Sequence, residues 1–349
     1  MGASANIATQ PRRLALCATD AIGDCARNAL AAGVAAIERN RIPAEMGEAE
    51  AIHRLRVATR RLRASIRLFA GALHAARIKF YERDLPWIAA QAGAARECDV
   101  MAALLQDRAK RIDPALANEV APIIDVLAAR RAGAHRKLCE SLRSRRYRNL
   151  IAKLEAPAIK SAPVQIRLGA AAASAMRPIA RAAARMGAQL APGAQPIVFH
   201  RLRVRVKRLR YALEMLSALG GKRHRKALAR LEELQETLGL CNDAAVAMAW
   251  LRAYAESSGA TPKTILAAGA LSQAIAERER KLRRRSIKQW RRIERSGLVR
   301  DAIDEIRTNG RAALAAAAKP EEAAETNSGP AKDSAADGND ARRVTEVQP

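Results

Sequence analysis

One stretch of this chain occurs twice. His53 to Leu73 reads HRLRVATRRLRASIRLFAGAL, and His200 to Leu219 reads HRLRVRVKRLRYALEMLSAL. With His53 laid on His200, Arg54, Leu55, Arg56, Val57, Arg61, Leu62 and Arg63 fall on Arg201, Leu202, Arg203, Val204, Arg208, Leu209 and Arg210. Arg60 falls on Lys207, which keeps the charge. A match of this length, headed by a shared histidine, marks an internal duplication. It predicts two related halves, each built around one copy.

Both copies are free of Pro, and of Gly until Gly71, and are rich in helix-forming Arg, Leu and Ala. Wound at about 100° per residue, each predicts a helix with distinct faces. Leu55, Leu62, Ile66, Phe69 and Leu73 share a core-facing side, and His53, Arg56, Arg60, Arg63 and Arg67 form a stripe beside it. Arg54 and Arg61 lie on a third side. In the second copy Leu202, Leu209, Leu213 and Leu216 face inward, and His200, Arg203, Lys207 and Arg210 make the stripe. Glu214 stands where Arg67 stood. Like charges three and four residues apart repel by a few tenths of a kcal/mol per pair, so a nearly pure Arg stripe costs stability. One reading is a row of guanidinium forks aimed at a polyanion. The other is a plain basic surface neutralised by carboxylates from neighbouring helices.

Composition narrows the partner. The formal net charge is +27 on 349 residues, which favours polyanions such as nucleic acid, polyphosphate or an anionic membrane surface. Aromatic residues are only 3%, which argues against single-strand binding by base stacking. The five cysteines include no C-x-x-C pair and read as reduced, mostly buried thiols. No secretory signal is apparent, and no uncharged apolar run approaches the ~18 residues of a membrane span. A soluble cytoplasmic protein without membrane insertion is expected.

The pattern H-x-x-R-V-x-x-R-R-x-R, present as His53-Arg56-Val57-Arg60-Arg61-Arg63 and again as His200-Arg203-Val204-Lys207-Arg208-Arg210, resembles CHAD, the conserved histidine α-helical domain. A second feature of that family also occurs twice, a Gly followed by acidic residues: Gly93 with Glu97 and Asp99, and Gly239 with Asp243. The resemblance implies an all-α fold of two four-helix-bundle-like halves related by a pseudo-twofold, with the basic helices facing a central groove or pore. It further implies binding of inorganic polyphosphate and residence on polyphosphate granules. The residues it assigns to the ligand are His53, Arg56, Arg60, Arg61, Arg63, Arg67, His200, Arg203, Lys207, Arg208 and Arg210. The alternatives are a nucleic-acid-binding helical protein and an accessory subunit of a polyphosphate-metabolising enzyme.

Along the chain, residues 1–11 and the Ala-, Glu- and Asp-rich segment 319–349 are expected to be disordered, flanking a helical domain over 12–318. The acidic segment is expected to act as a solubilising tail, the alternative being a weak competitor for the basic groove. The halves are expected at about 12–155 and 164–310, joined through 156–163 with its two prolines. Pro86 and Gly93 are expected to bend and end the third helix, with Phe80, Leu85 and Trp87 in its core, and Glu97 and Asp99 to open the next. Gly239 is likewise expected to separate two helices, and Pro122 to kink a helix over 115–142.

Catalytic chemistry finds little support. Val57 and Val204 occupy the i+4 positions, so neither motif histidine has a helical partner ligand for a metal. Each histidine either donates to phosphate or is structural; His74, His135 and His224 fit solvent or loop positions. Glu97, Asp99 and Asp243 read as caps or Arg partners rather than as metal carboxylates. No phosphate-binding loop of the G-x-x-x-x-G-K-[ST] kind is present. The sequence therefore predicts a binding protein without catalytic residues, metal or cofactor.

Overall fold

The first motif copy lies on a helix, Ala49–Leu68 (α3), and the second on Pro196–Met215 (α9). The amphipathic reading holds in both. Leu55, Leu62, Ile66, Phe69 and Leu73 are buried, as are Leu202, Leu209, Leu213 and Leu216. The computed structural model describes residues 16–159 and 166–318, and among them it is all-α. Before α3 come α1 (Ile22–Arg39) and α2 (Arg41–Glu45). Between the motif helices lie α4 (Ala75–Ala109), α5 (Pro114–Ala117), α6 (Val120–Arg143), α7 (Arg145–Glu155) and α8 (Leu168–Gly187). After α9 follow α10 (Lys222–Ala255), α11 (Pro262–Arg295) and α12 (Leu298–Ala318). The expected disordered ends and residues 160–163 of the 156–163 connection lie outside the described residues.

The duplication extends to the packing. α1 packs on α3 as α8 packs on α9; α3 on α4 as α9 on α10; α4 on α6 as α10 on α11; and α1 on α7 as α8 on α12. Each motif helix has a core around it, and the one around α9 also takes in Cys25, Ala29, Leu68 and Phe69 of the first half. One gathers Leu55, Leu62, Tyr81, Leu85 and Leu138 around α3, and the other gathers Leu202, Leu209, Leu231, Leu238 and Trp290 around α9. A third core joins the halves where the far ends of the long helices meet, through Met101 and Leu105, Ile123 and Leu127, Ala247 and Leu251, and Leu271 and Ile275. Fully burying one such leucine or isoleucine contributes about 1.5–3 kcal/mol.

Several expected breaks are absent. α4 runs through both Pro86 and Gly93, and α10 runs through Gly239. The reason is tertiary. Tyr81, Leu85, Ile88, Ala92, Ala95 and Cys98 form an unbroken buried stripe along α4, and Leu231, Leu234, Leu238, Cys241, Ala244 and Ala247 do so along α10. That burial outweighs the ~1 kcal/mol that an interior Gly costs and the ~3 kcal/mol of a Pro. Glu97, Asp99 and Asp243 therefore stand in mid-helix rather than at N-termini. Tyr81 rather than Phe80 enters the core, while Phe80 and Trp87 are half-buried beneath Lys153 and Arg146. Pro122 falls in the first turn of α6, where its missing N–H costs nothing, and the break comes before it, between α5 and α6. His224, expected in a solvated turn, is buried near the start of α10, where its Nε2 lies 2.9 Å from the Leu213 carbonyl.

Candidate polyanion site

α3 and α9 pack against each other at the junction of the halves, flanked by α4 and α10. This brings the two stripes together. A cavity of about 250 Å³ is walled by His53, Arg56 and Arg60 of α3, Arg96, Glu97 and Val100 of α4, Arg203 of α9, and Asn242 and Asp243 of α10. The interior glycines lie against these arginines, with room for ordinary contact even if a Cβ were present. Arg56 Nη1 donates to the Gly93 carbonyl at 3.4 Å, and a Cβ on Gly93 would stand 3.6 Å from that nitrogen. Gly239 faces Arg203 in the same way, with its Cβ position 4.0 Å from Arg203 Nε.

The cluster is short of acceptors. The Nε atoms of Arg60, Arg63 and Arg203 are buried without a hydrogen-bond partner. A buried donor left unmade costs about 1–3 kcal/mol. Burial, followed by repulsion from Arg60 and Arg203, makes Arg56 harder to keep protonated than usual. Arg203 is lowered chiefly by burial, with Asp243 opposing and Arg60 adding to the effect. Both remain guanidinium ions, since arginine does not deprotonate in proteins. Lys207 is different. Burial first, then Arg203, Arg60 and Arg56, push its ammonium down to about 6, against a weaker pull from Asp243. His53 is also lowered, by burial and then by Arg96, so it is held toward its neutral form. His200 is exposed at the rim, where its Nδ1 donates to Asn242 Oδ1 at 2.6 Å.

The expected site residues separate into three sets. His53, Arg56, Arg60 and Arg203 line the cavity, with Lys207 buried within electrostatic reach of the three arginines and His200 at the rim. Arg63, Arg67 and Arg208 form a second, flanking group in which burial and mutual repulsion lower all three, with Glu82 opposing. Arg205, which the motif comparison did not select, belongs to this group and repels Arg67 and Arg208. Its spacing of three residues from Arg208 was the available signal. Arg96, on α4, was also missed, because nothing in its own helix marks it.

The third set is neutralised. Arg61 pairs with Glu214 of the other repeat at 3.8 Å. Arg210 is buried, donates from Nε to Gln235 Oε1 at 2.9 Å, and pairs with Glu214 and with Glu232. Arg210, on the stripe, matches the alternative in which neighbouring carboxylates cancel the charge, and Arg61, on the third side, is paired as well. Asp99 is likewise committed, to Arg131 at 2.5 Å. Among the described residues no group of three or more His, Cys, Asp or Glu is placed to hold a metal, and no helix is long and apolar enough to cross a membrane. A separate cavity of about 330 Å³, walled by Leu209, Trp290, Ile293 and Ile303, lies apart from this arginine cluster.

Comparison with known proteins bears on the family and the fold. A model of the CHAD domain matches residues 28–252. The crystal structure of the CHAD domain from the plant Ricinus communis is similar with a TM-score of 0.65 at 25% identity, covering 88% of this chain and 98% of that one. PptA from Streptomyces chartreusis also reaches 0.65, at 19% identity, covering 78% of this chain and 100% of that one, a likeness of fold alone. No curated protein matches the chain.

Proposed function

The chain belongs to the CHAD domain family, and from that premise we propose that it binds inorganic polyphosphate, without catalysis, in the cavity between its two motif helices. The observation that carries this reading is the convergence of Arg56, Arg60 and Arg203 from both repeats with Nε donors of Arg60 and Arg203 unmet. A phosphate oxygen is the acceptor such forks fit, since each guanidinium can hold it bidentately. A linear polyphosphate carries about one negative charge per unit and no bases, which suits a site without exposed aromatic rings. Affinity comes from many charge contacts with counterion release and falls steeply with salt. Association with polyphosphate granules follows from the same binding.

The test is competition. Labelled long-chain polyphosphate is titrated with the protein at physiological salt and challenged with DNA, RNA, ATP and triphosphate. Binding that survives a large nucleic-acid excess supports a shaped polyphosphate site. Equal displacement by DNA means that net charge alone is at work. Replacing Arg56, Arg60, Arg203 and Lys207 together by Gln is expected to weaken binding at least about 100-fold while helicity is retained.

A further inference from the structure

Outside the cavity, charge is most concentrated on the outer face of α11. From Arg280 to Arg292 every exposed side chain is Lys or Arg, seven in all, while Ser286, Ile287 and Trp290 of the same span are buried. The span is about 18 Å long. Its neighbouring cations are committed elsewhere, Arg278 to Asp107 at 3.3 Å and Arg283 to the buried Glu279. None of the seven exposed ones forms an ion pair among the described residues.

The scaffold does not demand this face. α6 is the counterpart of α11 in the first half, packing on α4 as α11 packs on α10. Its exposed residues include Asp125, Ala128, Ala129, Ala132 and Glu140 beside its cations. The same structural task is therefore done with mixed charge. Seven like charges on one face repel one another, so the α11 stripe is a feature added to the fold.

Its charge and the contacts of its helix narrow the partner. Arg283 lies 5.1 Å over the ring of Phe199, the residue before His200. His200 bonds Asn242, which lines the arginine cavity. Through its packed side α11 thus stands beside the part of α9 that carries the rim residue His200, and the outer face with its seven cations is the other side of the same helix. It offers no exposed aromatic ring for base stacking and no apolar wedge for a bilayer. We infer that the outer face of α11 binds the part of a long polyphosphate chain that leaves the cavity past His200. This rests on the polyphosphate reading of the cavity, and it makes chain length a property of a second surface.

The experiment removes charge from that face in the full chain: Arg284→Gln, Arg285→Gln, Lys288→Gln, Arg291→Gln and Arg292→Gln together, all exposed. A control removes exposed cations from α6 by Arg130→Gln, Arg136→Gln and Lys137→Gln. Kd is measured for triphosphate, long-chain polyphosphate and duplex DNA over a salt series. The α11 variant is expected to lose at least about tenfold in long-chain affinity, with a shallower salt slope, and to keep its triphosphate affinity. Unchanged long-chain affinity overturns the inference, as does an equal loss for triphosphate or a loss per charge no larger than in the control. Loss of DNA binding with long-chain affinity intact would make the face a nucleic-acid surface, which also overturns it. If the unaltered protein binds neither phosphate polymer, the cavity reading itself fails; if it binds both and only the α11 variant is silent, this inference alone fails.

Discussion

Arg63 and Arg210 occupy the same position in the two repeats and meet opposite surroundings. Arg210 is bonded to Gln235 and paired with Glu214 and Glu232, whereas the buried Nε of Arg63 has no partner. In one repeat the guanidinium is met by carboxylates, and in the other its Nε is left without an acceptor. Arg210→Ala is therefore expected to cost about 2–3 kcal/mol of stability, because it breaks a buried hydrogen-bonded charge network. Arg63→Ala is expected to leave thermal stability unchanged or raised, because it removes a repulsive buried charge, and to weaken polyphosphate binding. Thermal melts and binding titrations of the two variants check this. Similar melting-temperature losses in both would sink the distinction.

Much of this was legible in the sequence, and the limits have a physical cause. The period of 3.6 placed Leu55, Leu62, Leu202 and Leu209 in the core because helix geometry alone fixes which residues share a face. The charged stripes were legible for the same reason. The fate of each charge was not, because Arg61 and Glu214 lie on different repeats and meet only when the halves pack. Gly93 and Gly239 misled because propensity is local, whereas the buried stripes that carry α4 and α10 through them are tertiary. The third core depends on those helices continuing, and so was hidden with them.

Lys207 is expected to make polyphosphate binding proton-linked. Burial and the charges of Arg203, Arg60 and Arg56 hold it down to about 6 in the free protein, with Asp243 opposing. A bound polyanion raises it again. Above pH 6 the complex then holds more protons than the separate partners, so affinity falls as pH rises and levels off below 6, with a slope of up to about tenfold per pH unit for one proton. His53, lowered by burial and Arg96, adds to the effect in the same direction. Calorimetry in buffers of different ionisation enthalpy is expected to report proton uptake at pH 7.5, and Lys207→Met to reduce it. The folded state suffers from the same depression. An ordinary lysine titrates at 10.5, so the unfolded chain binds more protons between about pH 6 and 10.5, and stability rises with pH across that window. Lys207→Met is accordingly expected to raise the melting temperature at pH 7 while weakening binding. Zero proton uptake would contradict the account.

Glu305 caps α10 from α12. Its carboxylate accepts from the backbone N–H groups of Gly221 at 2.9 Å, His224 at 2.8 Å and Arg223 at 3.3 Å. Burial pushes its pKa up, but the donors from His224, Gly221 and Arg223 outweigh it and hold the group below its ordinary value of 4.5. A depressed carboxyl contributes stability that is complete above the unfolded pKa and disappears as pH falls through the folded one. Glu305→Ala is expected to cost about 1–2 kcal/mol at pH 7. The difference from the unaltered protein should narrow as pH drops below about 4.5. A gap that stays constant down to pH 3 would show that charge is not its origin.

Glu97 and Asp243 separate binding from catalysis. They are counterparts, each four residues beyond the glycine of its repeat, and both line the arginine cavity. Their negative charge eases the protonation of Arg56 and Arg203. In a binding site this stabilises the free protein and opposes an incoming polyanion. Removing both charges, by Glu97→Gln and Asp243→Asn, is expected to tighten polyphosphate binding by about 1 kcal/mol, roughly fivefold. The melting temperature of the free protein is expected to fall, because the arginines lose their counter-charge. In an enzyme the same carboxylates would hold a divalent cation against the phosphates, and their loss would weaken magnesium-dependent binding and abolish phosphate release. Affinity measured with and without magnesium, beside an assay of phosphate release from polyphosphate, distinguishes the two. Tighter binding that is indifferent to magnesium supports a binding protein. Magnesium-dependent release by the unaltered chain, lost in the double variant, would make these two residues catalytic and end the non-enzymatic reading.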